Sequence, residues 1–441
     1  MAVSSGVTPA PLMRIEGGHP LKGEVRTAGS KNAALALMAA SLLTRERCRL
    51  ENVPHLADVE TSIGILEDLG VRCDREEWEV TLDASGEISS AVTPERARRM
   101  RASILFMGPL LARTGRAVVP KPGGDDIGMR RVEQHVYGLL QLGATVEDAD
   151  DAFICRADRL RGAEVVLDMP TVTGTENILM AAAVADGHTT ILNAAREPHV
   201  ADLAQALRSM GAQIRGGGTD RIEVDGVESL GALDHRVAPD YLEAGTYALA
   251  AAATGGDVYI TDAPVADLTT LVLKLRHAGV TVEQGETWLR VVRDGPILPV
   301  DLITWTYPGF ATDLQPQYTA LMTQASGSTV VQEFIFENRF TYIQELVRMG
   351  AAIEVGQHGR SIRIDGPSVL RGAELTIPDI RSGAALLIGA LCADGVSVLH
   401  GIDHLHRGYE DLAGKLSVLG CRVQEQREEG PPPLAQVTVT E

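Results

Sequence analysis

The sequence predicts an α/β protein of two domains, each assembled from three copies of one unit of about 70 residues. Three observations carry this. The pattern Leu-x-x-apolar-Gly, followed by strand-like residues, recurs six times and ends at Gly70, Gly143, Gly211, Gly279, Gly350 and Gly420. A second kind of segment, rich in Ala and apolar on nearly every side, also recurs six times: 33–43, 104–111, 178–185, 247–253, 318–325 and 384–393. Finally, 441 residues exceed what one core holds, since single cores stop growing near ~250–300 residues. Three units plus three is the natural division, with the midpoint in the Pro-containing segment Val237–Asp240.

Within a unit the elements follow from periodicity. Leu203, Leu207 and Met210 lie on one helical face, as do Leu268, Val272 and Leu275, so each Leu-x-x-apolar-Gly run closes an amphipathic surface helix. The Gly supplies the helix stop. Two short alternating segments follow and read as a hairpin; Arg221–Val224 and Ser361–Ile364 are the clearest, each leading into Asp-Gly. The Gly216–Gly218 run reads as a hairpin turn rather than a phosphate cradle, because no helix start follows it. The Ala-rich segments read as buried helices. The unit is therefore strand, buried helix, strand, surface helix, hairpin: βαβαββ.

Composition narrows the class. At 45% hydrophobic and 22% charged residues the chain is an ordinary globular protein, not a disordered, collagenous or coiled-coil one. Aromatics are only 4%, so Ala, Leu, Val and Ile must build the core. A formal net charge of −19 makes it a poor partner for nucleic acid, yet a few converging basic residues would still hold an anionic small molecule. No stretch approaches the ~18 apolar residues of a membrane span, and Met1–Gly23 shows no secretory pattern. Cys48, Cys73, Cys155, Cys392 and Cys421 form no CxxC pair, which fits reduced thiols in a cytoplasmic protein.

The chemistry-bearing residues cluster at helix starts. Gly29-Ser30-Lys31-Asn32 opens the first buried helix, where a Lys charge and free N–H groups suit a phosphate or carboxylate. Alone, an exposed helix-start Lys explains it better, and it is not a Walker A loop. Arg101 opens the second buried helix and Asp379-Ile380-Arg381 the sixth, while Arg130, Arg339 and Arg407 precede surface helices. Arg96, Arg98 and Arg99 read as a solvated face. Pro122–Gly128 is a Gly-rich loop carrying Asp125 and Asp126, either a solvated turn or a mobile lid that carries an acid. Asp313 stands where an ordinary N-cap would stand. His400, His404 and His406 invite a metal reading, but no further ligand at a recognisable spacing accompanies them.

These residues lie in motifs that resemble the UDP-N-acetylglucosamine enolpyruvyltransferase (1-carboxyvinyltransferase) family: GSKNAAL from Gly29, MRASI from Met100, PGGDDIG from Pro122, NAAREP from Asn193, GTDRI from Gly218, EAGT from Glu243, FATDLQPQ from Phe310, FENRF from Phe336, DIR from Asp379 and RGYE from Arg407. The resemblance runs from about Ile15 to Val437. It implies an inside-out α/β barrel (α+β) in two enolpyruvyl transferase domains of three βαβαββ repeats each. The first spans 30–238 and carries the mobile loop; the second combines 1–29 with 239–441. It also implies transfer of the enolpyruvyl group of phosphoenolpyruvate to the 3′-hydroxyl of UDP-N-acetylglucosamine, with release of phosphate, as the first committed step of peptidoglycan synthesis, without metal or other cofactor.

By the same resemblance Lys31, Asn32, Arg130, Arg381 and Arg407 meet phosphoenolpyruvate. Arg101, the run Arg130, Arg131, Val132, Glu133, Gln134 and the run Met169, Pro170, Thr171, Val172 meet the UDP-sugar, with Asp313 at the acceptor hydroxyl and Ile335 along the sugar. Arg339 and Asp379 support them. Arg and Lys suit this work because both substrates are anions, and Arg grips oxyanions bidentately. Protonating C3 of the enol and attacking C2 with a hydroxyl needs an acid and a base, expected here in Asp125 and Asp313, with Lys31 beside them.

Asp125 stands where many family members have Cys. A carboxylate is a far weaker nucleophile towards an epoxide than a thiolate, so insensitivity to fosfomycin is expected. Tyr241 replaces a frequent Arg, and Arg131 a frequent Pro, which leaves room for a different acceptor. Two other readings remain: 5-enolpyruvylshikimate-3-phosphate synthase, which the FENRF and RGYE segments disfavour, and a non-catalytic sugar-nucleotide sensor, which the retained Lys31, Asp125, Asp313 and arginines disfavour.

Overall fold

The computed structural model describes residues 11–427. The first ten residues of the segment read for a secretory signal lie outside them, as does the end of the family resemblance beyond 427. The buried helices form where expected, and their starts are built from capping side chains. Ser30, Thr171, Asp240 and Asp379 each accept a first-turn backbone N–H at the helices Lys31–Ala40, Val172–Ala182, Tyr241–Thr254 and Ile380–Cys392. The fifth is Gln315–Met322, led by the 3₁₀ turn Thr312–Leu314.

The second buried helix departs from expectation. Arg101–Phe106 is 3₁₀, and regular helix runs only over Met107–Thr114. Pro109 explains this: it has no N–H to donate back to residue 105, so it is tolerated only in the first turn, and the α-helix starts late.

Six surface helices follow the repeats, at Ala57–Asp68, Glu133–Gln141, Pro198–Ser209, Thr269–His277, Ile343–Arg348 and Leu412–Val418. Each runs into its repeat glycine, and all six glycines have φ between 84° and 108°. A side chain there would be strained, so the repeat period is a backbone requirement.

Each unit makes its own sheet. In the third, Glu164–Val166 pairs parallel with His188–Leu192, which pairs antiparallel with Arg221–Asp225, which closes the hairpin with Gln213–Arg215. The Gly216–Gly218 run is the turn of that hairpin. The same order recurs in five four-stranded sheets; the sixth, from the second unit, has three strands and only a bridge from Ala91 to Val118 in the fourth place.

Three sheets complete themselves with distant chain. Asp234–Arg236 pairs with Arg47–Glu51, Lys22–Arg26 with Asp257–Thr261, and Pro11–Glu16 enters between Val396–His400 and Arg422–Arg427. Parallel strands need a crossover, and the buried helices supply it, so helices lie inside and sheets outside.

Two hydrophobic cores result. One gathers Ala33 to Val237, the other Met13 to Val25 together with Tyr241 to Cys421. Between them two strands of chain cross side by side: Ser30 N donates to Ala238 O at 2.7 Å and Asp240 N to Ala28 O at 2.9 Å. Glu243 secures the crossing, accepting from Ala28 N at 2.8 Å and from Lys415 Nζ at 2.6 Å. Among the described residues no helix is long and apolar enough to cross a membrane.

Candidate active site

The starts of the inner helices supply the charged residues, and contacts across the gap between the two halves bring them together. Lys31, the first residue of its helix, is buried and donates to Asp58 Oδ2 at 3.2 Å. Asp58 also accepts from Arg407 Nε at 2.9 Å, and Arg407 Nη1 reaches Asp125 Oδ1 at 2.6 Å. One arginine of the second half thus ties a helix and the Gly-rich loop of the first. Burial lowers Arg407 and the two carboxylates raise it; the net shift is upward.

Asp125 is held ionised. Burial pushes its carboxyl up, but His404, Arg407 and Lys31 outweigh burial and hold it well below the carboxylate range. The acid expected at this position is therefore a carboxylate in this arrangement, because its partners are cations.

Asp313 is not the N-cap its sequence position suggested. It lies inside a 3₁₀ turn and makes no capping bond. Arg339 Nη2 donates to Oδ1 at 2.7 Å and Arg381 Nε to Oδ2 at 3.2 Å. Burial raises the Asp313 carboxyl, the Arg381, Arg339 and Lys31 charges lower it, and the balance is about 2. Arg339 is almost fully buried and also holds Thr312 O, while Arg381 stacks over Tyr409 and donates to its hydroxyl at 3.2 Å. Asp379 caps the Arg381 helix through the N–H groups of Arg381 and Ser382 and accepts from Thr341 at 3.2 Å, two residues beyond Arg339. It braces the arginines.

Arg101 and Arg130 make no carboxylate contact at ion-pair distance among the described residues. Burial, then the Arg130 charge, lowers Arg101 to about 10. Burial lowers Arg130 too, against the pull of Asp313 and Asp125. Two crowded guanidiniums with no carboxylate at ion-pair distance make a basic pair suited to anions. Gly124 lies against both: a Cβ there would stand 3.0 Å from the Arg101 Cβ and 3.4 Å from the Arg130 guanidinium.

The remaining expected residues fall in two places. Gln134 exchanges hydrogen bonds with Asp168, at 3.2 and 3.0 Å, which joins the segment Arg131–Gln134 to Met169–Val172. There Val132 flanks the helix start, Glu133 begins the helix, Met169 is exposed, and Thr171 caps the helix of Val172 beside Pro170. Ile335 is half-buried, its N–H bound to Glu333 Oε1 at 2.7 Å. Asn32 follows Lys31 on the first turn, half-buried. Arg131 is exposed, and Tyr241 is buried at its helix start, where burial and then the charges of Asp313, Glu197 and Asp240 push its phenol far up.

Sequence reasoning missed four contributors. Asp58 links Lys31 to Arg407; a survey of basic residues at turns passes over their carboxylate partner. Glu333, fully buried, binds Thr312 Oγ1 at 2.9 Å and the N–H groups of Ile335 and Phe336, aligning the Asp313 turn with the Ile335 segment. Glu337 and Asn338 receive the Gly-rich loop: Met129 N donates to Glu337 at 3.2 Å, and Asn338 donates to Ile127 O and Asp126 O. The FENRF motif contained both, and only its arginine drew attention.

His404 stands 3.6 Å from Asp125, and His406 meets Glu425. Among the described residues no group of three or more His, Cys, Asp or Glu is placed to hold a metal ion. The five cysteines are free thiols, and burial pushes them all up, to about 11 for Cys48 and Cys421 and about 12 for Cys73, Cys155 and Cys392.

Paired halves with helices inside, sheets outside and a basic cleft between them define an enolpyruvyl transferase. The crystal structure of the enolpyruvyl transferase NikO from Streptomyces tendae superposes with a TM-score of 0.86 at 27% identity, covering 96% of this chain and 100% of that one. The EPSP synthase (3-phosphoshikimate 1-carboxyvinyltransferase) family model matches residues 15–416. Within that class the chain belongs to the UDP-N-acetylglucosamine 1-carboxyvinyltransferase family. UDP-N-acetylglucosamine 1-carboxyvinyltransferase 1 of Carboxydothermus hydrogenoformans is 45% identical over 411 residues, and the enzyme of that name from Sorangium cellulosum 46% over 411, each alignment covering 93% of this chain and 97% of the relative.

Proposed function

We propose that this protein transfers the enolpyruvyl group of phosphoenolpyruvate to the 3′-hydroxyl of UDP-N-acetylglucosamine and releases phosphate, the first committed step of peptidoglycan synthesis, in the cytoplasm of a dividing, wall-building cell. The observation that carries this reading is the pair of carboxylates, Asp125 and Asp313, set among Lys31, Arg130, Arg339, Arg381 and Arg407 in one cleft. The two cores are taken as its domains, 30–238 and 1–29 with 239–441.

Lys31, Asn32, Arg130, Arg381 and Arg407 receive the phosphate and carboxylate of phosphoenolpyruvate. Arg101, the segments Arg130–Gln134 and Met169–Val172, and Ile335 receive the UDP-sugar. The substrate carboxylate competes with Asp125 for Arg407. When it wins, Asp125 loses a cation and gains an anionic neighbour, and both changes raise its pKa. The carboxyl then holds the proton it gives to C3 of the enol. Asp313, at about 2, is too weak a base to strip a hydroxyl unaided; it accepts the 3′-OH hydrogen bond and orients the oxygen toward C2. Phosphoenolpyruvate shares Arg381 with Asp313, so the basicity of Asp313 rises as the oxygen bonds to C2; it takes the hydroxyl proton and passes it to the departing phosphate. Elimination of phosphate, with return of the C3 proton to Asp125, restores the vinyl group.

The test is phosphate release from phosphoenolpyruvate with UDP-N-acetylglucosamine, with shikimate 3-phosphate and with neither. Release with the UDP-sugar alone is expected. Release with shikimate 3-phosphate alone would replace the acceptor, and no release with either acceptor, from folded protein that binds the UDP-sugar, would make the chain a binding protein.

A further inference from the structure

His404 has no role in the reaction as described, yet its place is specific. It sits on the short helical turn Asp403–His406, just before Arg407. Its Nδ1 is buried, lacks any hydrogen-bond partner, and faces Asp125 Oδ1 at 3.6 Å. The side chain as a whole is about one-third exposed, so its exposed part lies away from Nδ1. A ring nitrogen sealed from water and aimed at a carboxylate, on a side chain whose other edge is wet, is the geometry of a proton path.

The need for such a path follows from having a carboxylate at the loop position. A thiol at the loop position would carry its own proton at neutral pH. A carboxylate held ionised by His404, Arg407 and Lys31 does not, and burial alone fails to protonate it. The groups facing His404 and its partner are Asp125 on the loop, Arg407 on its own element, Asp58 and Lys31 from the first half through Arg407, and Asp403 and His406 beside it.

Resting on the enolpyruvyl transfer proposed above, we infer that His404 is the positioning residue that loads Asp125 with its proton. The imidazolium Nδ1–H passes its proton to Asp125 Oδ1 and becomes neutral imidazole, which takes a replacement from solvent at the exposed edge. Asp125 then gives that proton to C3 and recovers it on elimination. Loading is needed whenever the resting carboxylate meets substrate, and it fails as His404 loses its proton.

The sign follows. Activity should fall as pH rises. In His404→Gln the loss should begin at lower pH, because Asp125 must then take its proton from water, and kcat/KM at pH 8 should drop by about tenfold or more. The deciding measurement is a double-mutant cycle with Asp125→Cys, read as phosphate release across pH 5.5–9. We expect the His404→Gln penalty to vanish in the Asp125→Cys background, since a thiol brings its own proton. An equal penalty in both backgrounds, or an unchanged pH profile in His404→Gln, would overturn the assignment. UDP-sugar binding by each variant establishes folding. Wild-type turnover separates failure of this inference from failure of the reaction itself.

Discussion

Asp125 and Asp313 are both carboxylates depressed by arginine, and they differ in what can release them. Asp125 shares Arg407 with a substrate group, whereas Asp313 shares only Arg381 and keeps the buried Arg339 on its other oxygen. Replacing Asp125 with Ala should therefore cost about 10²–10⁴ in kcat while the UDP-sugar still binds, the range expected for a lost proton-transfer group. Asp125→Cys should turn over and become labelled by fosfomycin, which should leave the parent protein unlabelled because its natural thiols are buried or half-buried, all pushed up, and none stands at the loop position; mass spectrometry of the treated proteins decides this. Asp313 makes a second prediction, on stability. Its folded value of about 2 lies below the ~3.9 of an unfolded Asp, so its ionised form stabilises the protein above pH ~4 and that share is lost as pH falls toward 2. Asp313→Asn should flatten the acid limb of a stability–pH curve, measured by denaturant melts from pH 2 to 5. Lys31, Arg381 and Arg407 were legible in the sequence only through the motifs GSKNAAL, DIR and RGYE that carry them, since a basic residue at a helix start has an ordinary explanation on its own. Asp58 and Glu333 were not, since an acid near a helix start or strand end has many ordinary reasons to be there.

The elements divide in the same way. The six surface helices and hairpins were readable because each helix ends on a glycine that needs positive φ, a requirement visible one residue at a time. The strands Pro11–Glu16, Lys22–Arg26 and Asp234–Arg236 were not assignable to their sheets, because their partners lie far away in the chain and no local signal names them. The Gly-rich loop belongs between these cases. Its glycines announced freedom; the structure shows them used for close approach. Gly128 has φ of +126°, and a Cβ there would run into Glu337, the group that receives Met129. Gly128→Ala should hold the loop off its seat at a strain of about 1–3 kcal/mol, lowering kcat/KM by roughly 5- to 150-fold. Steady-state kinetics beside a thermal melt checks it: a comparable loss of stability with unchanged kinetics would place the strain in the fold rather than in loop seating.

Across both halves, the cleft is closed by a small number of contacts that share residues with the chemistry. Arg407 bridges to Asp58 and Asp125, and three residues further on Glu410 bridges again, accepting from His55 N at 2.8 Å and from Trp78 Nε1 at 3.1 Å. Trp78 is nearly half exposed and packs edge-on to His55, so its indole does little for the first core. Its hydrogen bond instead ties the hairpin of the first unit to the turn that carries Arg407. A contact made only when the halves meet adds to the closed population and nothing to either half alone, so its removal should appear as weaker apparent binding rather than as unfolding. One partly exposed hydrogen bond contributes about 0.5–1.5 kcal/mol, and Trp78→Phe should accordingly raise the apparent Kd for UDP-N-acetylglucosamine by roughly two- to tenfold. Calorimetric titration gives that number, and a melt of the ligand-free protein gives the control, which should move by no more than about 1 °C, the small shift expected where neither core is disturbed. A lower melting point with unchanged affinity would mean that Trp78 stabilises its own half. The expected pattern would mean that closure and the placement of Arg407 against Asp125 are one event, driven from the rim of the cleft.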